Sequence, residues 1–185
     1  PDSTCVVCRG GGRKGCVIVE RTLCGECGTE AFAKSVHTEA CRLDGGCGNA
    51  GTRPQHLLVC PERAPDDQYN LYVPQDAALL YCLNGDANPL HFDPDIAHRS
   101  GFERPILHGL CTLGYTAYAL SRWWGLRYGQ GFSSLKCLEA RFVAPVYPGE
   151  HAVVDLWQNQ DGVHFRVRSV ERDVIVLSNG NGIFA

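Results

Sequence analysis

The hydrophobic period changes once along this chain, and that change limits what it can fold into. From residue 107 to 124, apolar residues recur at helical spacing. Leu110, Leu113, Ala117 and Leu120 form one stripe, and Tyr115, Tyr118 and Ala119 widen it. After the glycine-rich stretch 125–131 the period becomes two. Strands are predicted at 134–142, 152–157, 163–170 and 174–180, with turns at 145–149 and 159–162 and a reversal at Asp173. One long helix followed by successive antiparallel strands is an α+β arrangement.

Upstream, β-branched residues at 17–23 predict a strand, 25–28 a turn, and 31–41 a second, antiparallel strand punctuated by Phe32, Val36 and Ala40. The stretch 44–51 carries too many glycines for regular structure. A polar segment at 53–67, broken by Pro54, Pro61 and Pro65, reads as a linker. It divides the chain into an N-terminal part, 1–61, and a C-terminal domain, 62–185. A helix then starts at Pro74, repeats at Ala77, Leu80, Tyr81 and Asn84, and stops at Gly85. Asp93 followed by Pro94 predicts the capped start of a short helix that Gly101 breaks.

The chain has 185 residues, 44% of them hydrophobic, which is enough for a packed core. Its net charge of -3, from 17 basic and 20 acidic residues, gives no field suited to nucleic acid or an anionic membrane. No apolar run is long enough to span a bilayer, and no secretory leader is visible at the N-terminus. Eleven cysteines, eight of them in the first sixty residues, are therefore expected as reduced thiols in an intracellular setting. Cys5-x-x-Cys8 and Cys24-x-x-Cys27 have the spacing of a zinc ribbon. Fortuitous cysteines on a β-scaffold are the alternative. Cys82 and Cys111, within helical patterns, read as small core residues.

Chemistry concentrates at 83–94. Asp86, Asn88 and His91 lie within six residues, between Gly85 and Pro94, with Pro89 fixing the backbone. Seventeen residues after His91 comes His108, followed by Gly109 at the mouth of the long helix. A carboxylate and an imidazole make a general acid/base pair, and a helix start offers unpaired N–H groups. Asp86 and the pair Asn88-Pro89 also fit an ordinary turn. Asp93 fits an N-cap better than an acid.

The ordered run Gly85-Asp86, Asn88-Pro89-Leu90-His91, Asp93-Pro94, Gly101-Phe102, Pro105-Ile106-Leu107-His108-Gly109-Leu110-Cys111-Thr112, Gly114 closely resembles the MaoC-like, R-specific enoyl-CoA hydratases. Within them it is most similar to the hydratase 2 domains of peroxisomal multifunctional enzymes. Arg141-Phe142, Pro145 to Glu150 and Leu177-Ser178-Asn179-Gly180 fit the same family. The resemblance implies a hot-dog fold, with 62–185 as the catalytic half and 1–61 as a partial first half, N-terminally truncated and lacking the family's opening helix.

It further implies reversible syn addition of water to trans-2-enoyl-CoA, giving (3R)-3-hydroxyacyl-CoA in fatty acid β-oxidation, with no cofactor. Asp86 and His91 would form the catalytic dyad, Asn88 would orient it or the acyl oxygen, and the Gly109 N–H would meet the thioester oxygen. His108 and Arg104 are candidate substrate contacts, Arg104 for a CoA phosphate. The implied setting is a homodimer or a larger multidomain polypeptide, peroxisomal by resemblance and otherwise cytoplasmic. Rival readings are a catalytically weak acyl-CoA-binding module, a zinc-binding interaction module in residues 1–60, and a hot-dog thioesterase.

Overall fold

The computed structural model describes residues 3–9, 15–24, 30–41, 59–129, 134–160 and 162–185. The chain divides into two compact units, Pro1–His56 and Leu57–Ala185.

In the first unit, β1 (Ser3–Arg9), β2 (Gly15–Cys24) and β3 (Ala31–Cys41) form an antiparallel sheet in that order. Ser3 lies opposite Thr22 and Arg9 opposite Cys16, while Gly15 lies opposite Cys41. β2 and β3 contain the two strands expected at 17–23 and 31–41. β1 was not expected, because cysteines and nearby glycines mask its Val6-Val7 pair. The turn read at 25–28 and the glycine-rich stretch at 44–51 lie outside the described residues, as does Cys27. Cys5 and Cys8 fall inside β1. Three residues of extended strand separate their Cα atoms by about 10 Å, whereas a zinc knuckle needs a tight turn between its two cysteines. The zinc reading therefore loses its geometric basis.

In the second unit, five antiparallel strands run in the order β4-β6-β7-β8-β5: β4 (Asp67–Tyr72), β5 (Leu135–Phe142), β6 (His151–Gln158), β7 (Gly162–Ser169) and β8 (Val174–Phe184). The sheet packs on α3 (Gly109–Tyr128), and two short helices, α1 (Ala77–Cys82) and α2 (Pro94–Arg99), precede it. This is the α+β hot-dog arrangement. β8 runs past the expected residue 180 to Phe184. β4 was not expected, since its polar Asp67, Gln68 and Asn70 leave only the inward Tyr69 and Leu71 as an apolar signal.

The helix inside the sheet buries part of the expected stripe, with Ala119 and Leu120 fully buried and Leu113 packed on the core, but its buried face is turned toward two threonines. Thr112, Thr116, Ala119, Leu120 and Trp123 are buried, whereas Leu110 is 56% exposed. The two threonine hydroxyls reach the core because each donates to a carbonyl one turn back, Thr112 to His108 at 3.3 Å and Thr116 to Thr112 at 2.9 Å. Leu71, Val154, Leu156, Val163, Phe165, Val167, Val176 and Leu177 belong to the same buried core as Ala119, Leu120 and Trp123. Burying each such side chain contributes about 1.5–3 kcal/mol. The Trp123 indole N–H donates to Asp67 Oδ2 at 2.8 Å and ties the helix to β4. α3 continues beyond the expected residue 124 because Gly129, at φ 69°, supplies the left-handed cap and bonds back to Gly125.

The segment ahead of β4 is fastened to the sheet. The Trp157 indole donates to the carbonyls of Arg63 and Ala64, and the Cys60 thiol to the carbonyl of Phe165 at 2.9 Å. Among the described residues no helix is long and apolar enough to cross a membrane.

Candidate active site

α1 ends at a turn that hands the chain to the site. Gly85 has φ 99°, a conformation that a side chain would strain, and Asp86 follows it. One Asp86 carboxylate oxygen accepts the Asn88 N–H at 3.3 Å, and Asn88 Oδ1 accepts the Leu90 N–H at 3.1 Å. The turn reading of these residues is thus satisfied. Asn88 caps the 3-10 turn Pro89–His91 with its oxygen, which leaves its amide NH2 as the group available to a ligand. Asp93 is the N-cap of α2, accepting from the N–H groups of Asp95 and Ile96 at 2.9 and 3.2 Å.

The 3-10 turn buries His91. Its Nδ1 lies 2.8 Å from the Ile106 carbonyl, so that nitrogen carries the proton and donates. Nε2 then holds the free lone pair, the form a proton acceptor needs. His108, 2% exposed at the N-cap position of α3, lies face to face with His91, with ring centroids 3.5 Å apart and planes at 23°. The Tyr81 ring lies 4.6 Å from it, tilted at 45°. His108 Nε2 donates to the main-chain carbonyl of Asp86 at 3.1 Å. Its Nδ1 is buried with no hydrogen-bond partner. Burial pulls the His108 pKa below its ordinary value, more than the bond to the Asp86 carbonyl restores.

Side-chain donor atoms of Asp86, His91 and His108 all lie within 4.8 Å of one another. His108 Nε2 is committed to the Asp86 carbonyl, which leaves it no lone pair for a metal ion. A carboxylate beside two imidazoles is a combination suited to acid/base chemistry.

Gly109 follows at the first turn of this 20-residue helix, where main-chain N–H groups lack intrahelical partners and the dipole is positive. Arg104 shares with His91 a cavity of about 300 Å³, also lined by Gln75, Leu79 and Pro148. Its guanidinium donates to the Pro148 carbonyl at 2.7 Å and lies over the Tyr147 ring. A second cavity, of about 550 Å³, lies between β4 and α3 and is lined by Tyr69, Leu71, Tyr81, Cys111, Tyr115 and Tyr118 among others. Tyr81 links this cavity to the site through its contact with His108. Cys111 and Cys82 are half-buried, and burial raises the Cys111 thiol to about 11.

The structure therefore brings Asp86, His91 and His108 together, with Arg104 on the His91 cavity and Gly109 next in chain to His108. Tyr81 and the Ile106 carbonyl were not singled out from the sequence. Tyr81 carried a signal, being one helical turn ahead of the Gly85 stop.

Residues 58–180 match the family model described as MaoC like domain. The chain belongs to the MaoC-like domain family. It is 37% identical over 137 residues to peroxisomal multifunctional enzyme type 2 of Mus musculus, which covers 73% of this chain and 18% of that protein. It is 36% identical over 174 residues to 3-hydroxyacyl-thioester dehydratase Y of Mycobacterium tuberculosis, covering 93% of this chain and 57% of the relative. A full-length peroxisomal multifunctional enzyme type 2 from Drosophila melanogaster superposes with a TM-score of 0.83 and 32% identity over 96% of this chain and 32% of its own. A MaoC-like dehydratase from Phytophthora capsici gives 0.85 and 28% over 97% of this chain and 60% of its own. The MaoC-like chain thus spans less than two thirds of these relatives' lengths.

Proposed function

We propose that this chain performs R-specific enoyl-CoA hydration, the reversible syn addition of water to a trans-2-enoyl-CoA that gives a (3R)-3-hydroxyacyl-CoA. The observation that carries the reading is the pairing of the exposed Asp86 carboxylate with the His91 imidazole, whose Nε2 is left free by the Nδ1 bond to Ile106. Relatives named enoyl-CoA hydratase 2 in Arabidopsis thaliana and 3-hydroxyacyl-thioester dehydratase in M. tuberculosis support the same chemistry.

In this mechanism a water sits between Asp86 and His91. One of its protons passes to the dyad as its oxygen bonds to Cβ. The Cα=Cβ electron pair moves to Cα and the thioester oxygen, where the Gly109 N–H and the positive end of α3 stabilise the enolate charge. The dyad then returns a proton to Cα on the face from which water entered. Asn88, through its amide NH2, orients the dyad or the acyl oxygen. Arg104 meets a CoA phosphate at the mouth of the His91 cavity. No redox or group-carrier step is needed.

We place the activity in peroxisomal fatty acid β-oxidation, since several relatives carry peroxisomal names. The working unit is a homodimer or a larger polypeptide, and the first unit, Pro1–His56, is the partial first hot-dog half.

The test is the stereochemistry of the product. Crotonyl-CoA should be converted to (3R)-3-hydroxybutyryl-CoA, resolved from its enantiomer on a chiral phase. The S product would overturn the reading. Binding of the thioester without turnover would instead assign an acyl-CoA-binding module.

A further inference from the structure

One residue touches each part of the site. His108 opens α3 with its main chain, since its carbonyl accepts the Thr112 N–H at 3.1 Å. It holds the Asp86 carbonyl with Nε2 at 3.1 Å and seats the His91 ring at 3.5 Å. Nothing in its own geometry lets it act on substrate directly. Nε2 is occupied, the ring is 2% exposed, and the His91 and Tyr81 rings both pack close to it.

We propose that His108 is a positioning residue, which sets the distance and orientation of Asp86 relative to His91 through one main-chain hydrogen bond and one ring stack. The assignment rests on the hydratase reading for its kinetic consequences and on geometry alone for its tautomer. A phenylalanine here would keep the stack and lose the donor. A glutamine would keep a donor and lose the stack. Histidine supplies both, provided that it stays uncharged, because a cationic ring stacked on His91 would oppose the proton that His91 has to accept.

The surroundings favour the uncharged form. Facing His108 are His91 from the 3-10 turn, Asp86 from the loop after α1, and Tyr81 and Cys82 from α1, the thiol 3.9 Å from Nε2. Cys111 lies one turn further along its own helix. Of these only Asp86 favours a charged ring, through its main-chain carbonyl and its carboxylate 4.0 Å from Nε2. Burial opposes it most strongly, and the His91 ring adds to that opposition. Protonation would also place a new N–H at Nδ1, which has no acceptor.

Two readouts test this on the full chain. In long-range proton–nitrogen correlation spectra, His108 should remain the Nε2–H tautomer across about pH 5.5 to 7.5, the range in which an ordinary imidazole titrates. In turnover, His108→Phe should lower kcat about 100-fold with KM changed less than about threefold, and His108→Gln should recover at least tenfold of that loss. A His108 that titrates within that window, or that carries its proton on Nδ1, overturns the proposal. So does a Phe variant that is folded and fully active, or a Gln variant no better than Phe. Should the wild-type chain hydrate no enoyl thioester, the hydratase reading fails, and the tautomer alone still decides the placement of His108.

Discussion

Arg172 grips Glu150 through two nitrogens, at 2.5 and 3.0 Å, although Glu150 is only 3% exposed. The same guanidinium donates to the Pro145 carbonyl at 2.6 Å, and Glu150 accepts the Tyr147 N–H at 3.1 Å. Together these bonds close the turn between β5 and β6. Tyr147 and Pro148 in that turn hold Arg104 against the His91 cavity. The bond to Glu150 raises the Arg172 pKa above its ordinary value. Removing one partner leaves an unpaired buried charge. Arg172→Met should destabilise the fold by about 3–5 kcal/mol in urea denaturation, and adding Glu150→Leu should restore much of the loss. Equal stability of the two variants would show that the pair contributes nothing beyond packing.

Arg104 should act on affinity and not on the chemical step. Its charge sits at the cavity mouth, partly anchored by Pro148, and can meet a phosphate without touching the reacting carbons. Arg104→Ala is expected to raise KM for a CoA thioester about tenfold with kcat within about twofold. The wild-type KM should rise with salt more steeply than that of the variant. Steady-state kinetics at two ionic strengths checks both.

Asp93 belongs to the fold. Its two accepted N–H bonds cap α2, so Asp93→Ala should cost about 1 kcal/mol of stability and leave turnover per folded molecule unchanged. Asp93→Asn, which keeps a capping oxygen, should cost less. Loss of turnover in a folded Asp93→Asn variant would make Asp93 part of the chemistry.

Stability should fall in mild acid because of His108. Its pKa is lower in the folded chain than in the unfolded one, so on acidification the unfolded chain takes up a proton first. The stabilising contribution is complete above the ordinary imidazole value of about 6.5 and is lost as pH falls from there toward the folded value. Urea midpoints at pH 7.5 and 5.5 should differ more for the wild type than for His108→Gln. An equal difference would place the acid sensitivity elsewhere.

The outlines were legible in the sequence because they depend on local pattern. Period-two runs gave β6 and β7, Asp93 with Pro94 gave the capped α2, and the polar run Asp86 to His91 contains two of the three residues that the fold gathers with His108. The buried face of α3 was only partly legible. The helix is apolar almost all round, so Leu110 drew the eye with Leu113 and Leu120, while Thr112 and Thr116, whose hydroxyls bond back to the helix, also took the core. β4 was hidden because an edge strand needs only one apolar face, and here that face within the strand is Tyr69 and Leu71. The stacking of His91 on His108 joins residues seventeen apart through tertiary packing, which no local period encodes.

The most direct measurement follows the enoyl absorbance of crotonyl-CoA with the wild-type chain, Asp86→Asn and His91→Ala side by side, each shown to be folded. The account predicts loss of absorbance with the wild type and a fall of at least about 100-fold in kcat for each variant, since each removes one partner of the acid/base pair. Undiminished turnover in either folded variant would contradict the assignment of the dyad.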